Sequence, residues 1–306
     1  MLLYRHMIKV EHLHKTFGDF TAVNDLSFSV NPGDVYGFLG QNGAGKSTTI
    51  RMLLSLIHPS SGIIEIAGKN LTDNRKEILS KVGAMIERPD LYKYLSALDN
   101  LKLFAKMSGL HLSKQALINQ LERVGLADRA DSKVKTFSQG MKQRLGLAIA
   151  LVHDPELIIL DEPTNGMDPQ GIADIRELIV SLSKEAGKTV LVSSHLLSEI
   201  ELMANRMIII HKGKKMVEGE VSQLLNPEQT SVRLTTGNDL IAMKVLSASQ
   251  WSVYMESQDA EGIGLTMNKK LIPELVRFLT ASQIDILSLQ HRHSLEDYFL
   301  KLTQNL

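Results

Sequence analysis

The sequence predicts an α/β fold built on a parallel sheet, followed by a small α+β unit. Three observations predict it. Short, continuous, β-branched apolar runs, "LIIL" (157–160) and "KTVLVSS" (188–194), have the character of central parallel strands. An apolar run from Val35 to Leu39 leads into the glycine-rich stretch "GQNGAGKST" (40–48) and then a helical pattern, a strand–loop–helix order. After Asn226-Pro227 the chain changes into short alternating runs, the character of a separate unit.

Residues 7–36 alternate in strand fashion, "LSFSV" (26–30) among them, with a turn at Pro32-Gly33. Val35–Leu39 reads as a buried strand and Ser47–Leu56 as the helix behind the glycine loop. "HPSSG" (58–62) turns into the strand "IIEI" (63–66). From about Ser96 to Val152 the chain becomes helical. Ser96 with Asp99 fits a capping box, and "SKQALINQLERVGL" carries helical periodicity. "QGIADIRELIVSLSKEAG" predicts a helix ending at Gly187, and "RMIIIHKGKKMVEGE" (206–220) a hairpin turning near Gly213. Beyond 226, the alternating runs "SVRLTT", "IAMKVL", "WSVYME" and "GIGLTM" precede a helix at "LIPELVRFLTAS". A strand "IDILSLQ" and a helix "SLEDYFLKLT" follow. The expected division is therefore 1–225 and 226–306.

Length and composition narrow the classes. A chain of 306 residues, 43% hydrophobic and 22% charged, has enough apolar sequence for a large core and more than one domain. Its formal net charge of +0 gives no general pull toward nucleic acid or an anionic membrane. With no cysteine, disulfides and thiolate metal sites are excluded, which suits a reducing compartment. The opening "MLLYRHMIKVEHLHK" has no sustained apolar core, so no signal peptide is expected. "LIIL" and "MIII" (207–210) are far too short to cross a bilayer, so work at a membrane requires a partner.

Four stretches carry chemistry. Gly40-Gln41-Asn42-Gly43-Ala44-Gly45-Lys46-Ser47 fits G-x-x-x-x-G-K-[ST]. Glycines let successive backbone N–H groups curl around phosphate oxygens, and the following helix adds its positive end. Lys46 would neutralise β- and γ-phosphates, the Ser47 hydroxyl would ligate Mg²⁺, and Thr48 would bond the α-phosphate. The plainer alternative is a glycine-rich turn with an incidental lysine. In "LIILDEPTNGMD" (157–168), a buried strand would deliver Asp161 to hold Mg²⁺ and Glu162 to polarise the attacking water. Adjacent acids there also serve simply to cap a helix. In "TFSQGMKQRLGLAIALV" (136–152), Ser138 and Gly140 open a long helix, either as an anion site or as an ordinary N-cap. His195, in "VLVSSHLLSEIE", stands at the end of a buried strand, either as a structural histidine or within reach of a γ-phosphate.

In this order the motifs resemble those of one family, the ATP-binding subunits of ABC transporters, over about residues 7 to 225. The family's glycine-lysine loop matches Gly40–Ser47, and its Ser-x-Gly signature matches Ser138-Gln139-Gly140. Its apolar run ending in Asp-Glu matches Leu157–Glu162, its D-loop Asn165–Asp168, and its switch histidine His195. Phe17, in "KTFG", aligns with the aromatic that stacks on adenine, with Phe20 as a competitor. The resemblance implies an α/β P-loop NTPase core of ABC type: a RecA-like parallel sheet, an N-terminal antiparallel β region and a helical subdomain at about 95–150. A small C-terminal α+β appendage completes the expected fold. It also implies ATP and Mg²⁺ as cofactors, with Gly40, Asn42, Gly43, Ala44, Gly45, Ser138, Gly140 and Asp168 contributing to the nucleotide site.

Two departures from the family pattern stand out. The signature reads "FSQGM", so Met141 stands where a glutamine is usual. The loop that usually carries another glutamine reads "VGAMIERPDLYKYLSALDNL", placing Glu87 there, as a candidate nucleotide and Mg²⁺ contact at a hinge facing the permease. An outward-turned Glu87, paired with Arg88 or Lys93, is the alternative. Glu87, "FSQGMKQRLG" and the terminal "SLEDYFLKL" resemble the bacitracin and lantibiotic-immunity subgroup of exporters. The family arrangement implies a homodimer or a paired ATP-binding subunit and a separate transmembrane permease, and the charge balance adds the expectation of no nucleic-acid partner. It places the chain in the cytoplasm, on the inner face of the membrane through that permease. The competing function is a soluble ABC-type ATPase serving as a regulator or remodelling scaffold. A small-molecule P-loop kinase explains neither Ser138-Gln139-Gly140 nor His195.

Overall fold

Alternating apolar residues set the first pair of strands. β1 (Ile8–Phe17) and β2 (Phe20–Val30) run antiparallel, Ile8 opposite Val30 and Phe17 opposite Phe20. Gly18, at φ 55°, makes the turn between them, a left-handed conformation that glycine adopts without a Cβ clash. The computed structural model describes residues 5–87, 89–224, 230–259 and 262–293. The chain divides into two units, Met1–Glu220 and Val221–Leu306, rather than after 225.

In the first unit β3 (Val35–Leu39) is buried at every position and feeds α1 (Lys46–Leu53). The helix expected as far as Leu56 stops at Leu53, because Ser55 turns left-handed at φ 53°. β4 (Ser61–Ile66), β5 (Lys69–Asn70), α2 (Arg75–Leu79) and β6 (Val82–Met85) follow. The helical stretch comprises α3 (Ala97–Met107), α4 (Lys114–Glu122) and α5 (Gln139–Ala150). Its helices are capped as their sequence demands: Ser96 Oγ accepts from Asp99 N at 3.0 Å and Ser113 Oγ from Ala116 N at 3.2 Å. Then come β7 (Leu157–Asp161), α6 (Pro169–Lys184), β8 (Thr189–Ser194), α7 (Leu197–Met203), β9 (Arg206–His211) and β10 (Lys214–Glu220). α6 ends three residues before Gly187, whose positive φ of 65° lets Lys188 N reach back to Leu182 O at 2.9 Å.

These strands form two sheets. One is antiparallel, in the order β2-β1-β4-β5; the other runs β10-β9-β3-β8-β7-β6 and is parallel except for the β9–β10 hairpin. β3, β7 and β8 are buried along their whole length, which is why they read as unbroken apolar runs. One core joins the two sheets across α1: Ile8 and Val10 pack with Phe38, Ile50, Ile159 and Ile208. A second core, of Leu101, Leu117, Leu121, Phe137 and Leu145 among others, holds the helical stretch.

The second unit opens with α8 (Val221–Leu224) and β11 (Thr230–Thr236). It continues through α9 (Asp239–Ser247), β12 (Met255–Asp259), β13 (Gly262–Met267), α10 (Ile272–Ala281) and β14 (Ile286–His293). Its sheet is antiparallel, β12-β13-β11-β14, and Val232, Leu234, Leu246, Trp251, Leu265 and Leu275 share its core. Here the alternation misleads. "IAMKVL" lies in the helix α9, because Asn238 caps it (Oδ1 accepts from Ile241 N at 3.2 Å) and Ala242 and Leu246, four apart, supply its buried stripe. "WSVYME" straddles a 3-10 turn, Gln250–Tyr254, and the start of β12. The expected helix "SLEDYFLKLT" lies outside the described residues.

Candidate functional site

β3, β8 and β7 lie side by side and parallel, so the loops that leave their carboxyl ends emerge along one edge. In open α/β sheets that edge is where ligands bind. The loop after β3 is the glycine-lysine stretch, β7 ends in Asp161 followed by Glu162, and His195 follows β8. A cleft of about 750 Å³ opens there. Asn42, Gly43, Gly45, Lys46, Ser47 and Thr48 form its floor, with Asp161 and Glu162 on the wall. Two glycines are required by the backbone: Gly43 and Gly45 sit at φ 82° and 104°. A Cβ on Gly45 would also come within 2.7 Å of Ala22 O.

Lys46 is only 5% exposed. Nζ donates to Gly40 O at 2.6 Å and Gln41 O at 3.2 Å, and stands 3.1 Å from Glu162 Oε1. Carbonyls and a carboxylate together offset the cost of burying this charge. The other Glu162 oxygen, Oε2, is 2.7 Å from His195 Nδ1. Glu162 itself is left-handed, φ 50°, a strained conformation for a side-chain-bearing residue followed by proline. Ser193 fixes the neighbouring acid: its Oγ donates to Asp161 Oδ1 at 2.5 Å and accepts from Glu162 N at 2.9 Å. Asp161 is fully buried, and its Oδ2 has no hydrogen-bond partner. A buried carboxylate oxygen without a donor is costly, and a hydrated cation in the cleft would satisfy it. The residues present therefore fit Mg²⁺, with Ser47 lining the same cleft.

The remaining predicted residues fall in different places. Ser138 is the N-cap of α5, its Oγ accepting from Met141 N at 3.2 Å, so the capping reading holds whatever else Ser138 does. Neither it nor Gly140 lines this cleft, and Asp168 serves as the N-cap position of α6. Gly40 and Ala44 lie behind the cradle; a Cβ on Gly40 would be 2.8 Å from Ile210 O, and Ala44 is buried. The aromatic on the cleft wall is Phe20; Phe17, opposite it in the β1–β2 pairing, lies under Lys15, whose Nζ is 4.8 Å from the ring centre. Glu87 lines the cleft, but its Oε1 accepts from Arg51 Nη2 at 2.6 Å. The cation paired with Glu87 is thus Arg51, on α1, rather than Lys93; Arg88 lies outside the described residues. Sequence reasoning missed Gln139 and Gln143, which line the cleft, and Ser193. Gln143 is 2% exposed with its Oε1 unpartnered, a fact no spacing along α5 announces. For Ser193 the signal was available: a pair of hydroxyls, Ser193 and Ser194, closing β8 after the apolar run Val190–Val192.

A glycine cradle, a buried lysine and two acids on one strand edge place the protein among the P-loop nucleotide hydrolases. The family described as "ABC transporter" matches residues 23–165. The chain is 44% identical over 301 residues to the bacitracin transport ATP-binding protein BcrA of Bacillus licheniformis, covering 97% of each chain. It is 43% identical over 223 residues to the lantibiotic transport ATP-binding protein SrtF of Streptococcus pyogenes, covering 73% of this chain and 95% of that one. Among solved structures, an ATP-binding cassette dimer in a post-hydrolysis state with ADP and Pi superposes with a TM-score of 0.65. That likeness has 25% identity and covers 70% of this chain and 99% of the other. The protein belongs to the ATP-binding subunits of ABC transporters and is an ATPase of that family.

Proposed function

We propose that the chain is the ATP-hydrolysing subunit of an exporter that removes peptide antibiotics, working as a dimer on a separate permease at the inner face of the membrane. Among the described residues no helix is long and apolar enough to cross a membrane, so the substrate path belongs to that partner. Support for the substrate class comes from the 97% coverage of the bacitracin transport relative, which extends past residue 226 through the second unit.

The single observation that carries hydrolysis is Glu162 held between Lys46 at 3.1 Å and His195 at 2.7 Å, beside Asp161. With ATP in the cradle, Lys46 meets the β- and γ-phosphates and Thr48 the α-phosphate. Glu162 accepts a hydrogen bond from the attacking water and polarises it, and His195 keeps that carboxylate aimed while reaching the γ-phosphate. Ser47 and Asp161 would hold Mg²⁺, which supplies charge neutralisation on the phosphate oxygens. Phe20 or Phe17 flanks the base. Ser138 and Gly140 of one subunit complete the site of the other, their helix end facing phosphate. Glu87 stands at the hinge between this cleft and the helical stretch, where it couples hydrolysis to the permease.

Membranes containing the chain and its permease test this. Lys46→Ala should abolish ATP turnover and return cells to baseline susceptibility to bacitracin and lantibiotics. If cells with full ATP turnover gain no tolerance to either class, the exporter assignment is wrong while the ATPase stands.

A further inference from the structure

β7 and β8 are neighbours as far as the pair Asp161 and Ser193, and then their chains part. One continues as Glu162-Pro163-Thr164, the other as Ser194-His195-Leu196. The hydrolytic pair, Glu162 and His195, spans this divergence with a contact of 2.7 Å. On the strand side the two chains are tied by Ser193, which bonds both Asp161 and Glu162 N. On the far side they are tied by a residue that does not line the cleft. One oxygen of Glu199, Oε2, accepts from Thr164 Oγ1 at 2.9 Å and from Ser194 Oγ at 2.9 Å. Ser194 Oγ in turn accepts from Leu196 N at 3.0 Å, shaping the turn that carries His195.

We propose that Glu199 is a positioning residue for hydrolysis: its carboxylate clamps the loop of the catalytic glutamate to the loop of the switch histidine. Three facts give the clamp its strength. Both donors are buried, Thr164 at 4% and Ser194 at 1% exposure, so water does not compete for their hydroxyls. Hydrogen bonds to an ionised acceptor are roughly twice as strong as neutral ones. The clamp also grips two residues beyond Glu162, whose left-handed backbone persists only if its surroundings hold it. With Glu199 gone, Thr164 and Ser194 lose their shared acceptor, Glu162 relaxes from φ 50°, and the contact with His195 opens. Lys46 and the glycine cradle share no hydrogen bond with Glu199 among the described residues, so nucleotide binding is spared.

The experiment compares Glu199→Ala, Glu199→Gln, Thr164→Val and Ser194→Ala in the full-length chain, measuring kcat, ATP affinity and thermal stability. Glu199→Ala should lower kcat by about tenfold or more while ATP affinity stays within about twofold, the pattern of lost transition-state alignment. Glu199→Gln, which keeps a carbonyl oxygen to accept both hydroxyls but not the charge, should recover part of that loss. Thr164→Val preserves shape and should give part of the loss alone, but none on top of Glu199→Ala, because both remove one interaction. An unchanged kcat in Glu199→Ala overturns the proposal. So does Glu199→Gln being as impaired as Glu199→Ala, or Thr164→Val adding its full effect to Glu199→Ala. Should Glu199→Ala fold poorly, Thr164→Val and Ser194→Ala decide: normal kcat in both is also fatal.

Discussion

Glu162 is the residue where chemistry and backbone meet. Its carboxylate serves Lys46 with one oxygen and His195 with the other, while its backbone is left-handed. Glu162→Gln keeps the shape and removes the charge that, in the proposed role, polarises water. Hydrolysis should fall by roughly a hundredfold or more, the scale of losing a general base. ATP should still bind, and a closed dimer should accumulate with ATP and Mg²⁺ on size-exclusion chromatography; rapid phosphate release would point to another base. His195→Ala should cut turnover with ATP affinity largely intact, since among the described residues His195 bonds Glu162 rather than the cradle. At this scale the sequence displayed Lys46, Ser47, Asp161 and Glu162 plainly, because each belongs to a contiguous stretch whose backbone geometry is local. Arg51 stayed hidden, because its partner Glu87 lies 36 residues away along the chain.

Among the elements, α5 is the one whose docking joins distant parts of the site. Gly83 on β6 and Gly146 on α5 permit that docking. A Cβ on Gly83 would lie 2.1 Å from Ala150 O, and one on Gly146 would lie 2.7 Å from Pro89 Cβ and 2.8 Å from Met85 Sδ. The helix that Ser138 caps therefore rests directly against the segment that follows Glu87. Gly83→Ala must push backbone aside and should cost about 2–3 kcal/mol, as overpacking of a tight core does. A chemical-denaturation midpoint would show it; an unchanged midpoint would mean that β6 and α5 separate freely. The exposed Arg51–Glu87 pair is a different kind of contact, contributing little to stability and more to where Glu87 points. Helix starts were legible from Ser96 and Ser138, whose hydroxyls, like that of Ser113, satisfy the first free N–H groups of the helices they precede.

For the whole molecule the decisive question is whether Ser138 reaches a nucleotide, as we propose, since it lies outside the cleft of its own chain. The proposed head-to-tail dimer would bring it to the partner's cleft, and that makes a test possible. Ser138→Asp retains an N-cap for α5 while setting a negative charge against phosphate. Mixed with Lys46→Ala subunits, it puts both lesions into one composite site and leaves the second site intact. Each variant alone should be inactive, and the mixture should regain part of the ATP turnover. No recovery, with heterodimers demonstrated, argues against the shared site. The two units of the chain have separate cores, the second built on Trp251, Leu246 and Leu275, with Trp251 Nε1 buried and unpartnered. Composition alone marked that second unit, through the change of pattern beyond Asn226-Pro227.

What the sequence by itself determined is the order of the motifs and the elements that carry them. The cradle needs only glycines at fixed spacing before a helix, and buried parallel strands need only unbroken apolar runs. What tertiary structure decided is which side chains meet. Sheet order sets β3, β8 and β7 side by side and so brings Lys46, Glu162 and His195 into contact across more than a hundred residues of chain. The same packing put Phe20 rather than Phe17 on the cleft wall, paired Glu87 with Arg51, and made α9 from a run that alternates like a strand. Local patterns leave these choices open, because the energies that settle them come from contacts between segments that the sequence keeps far apart.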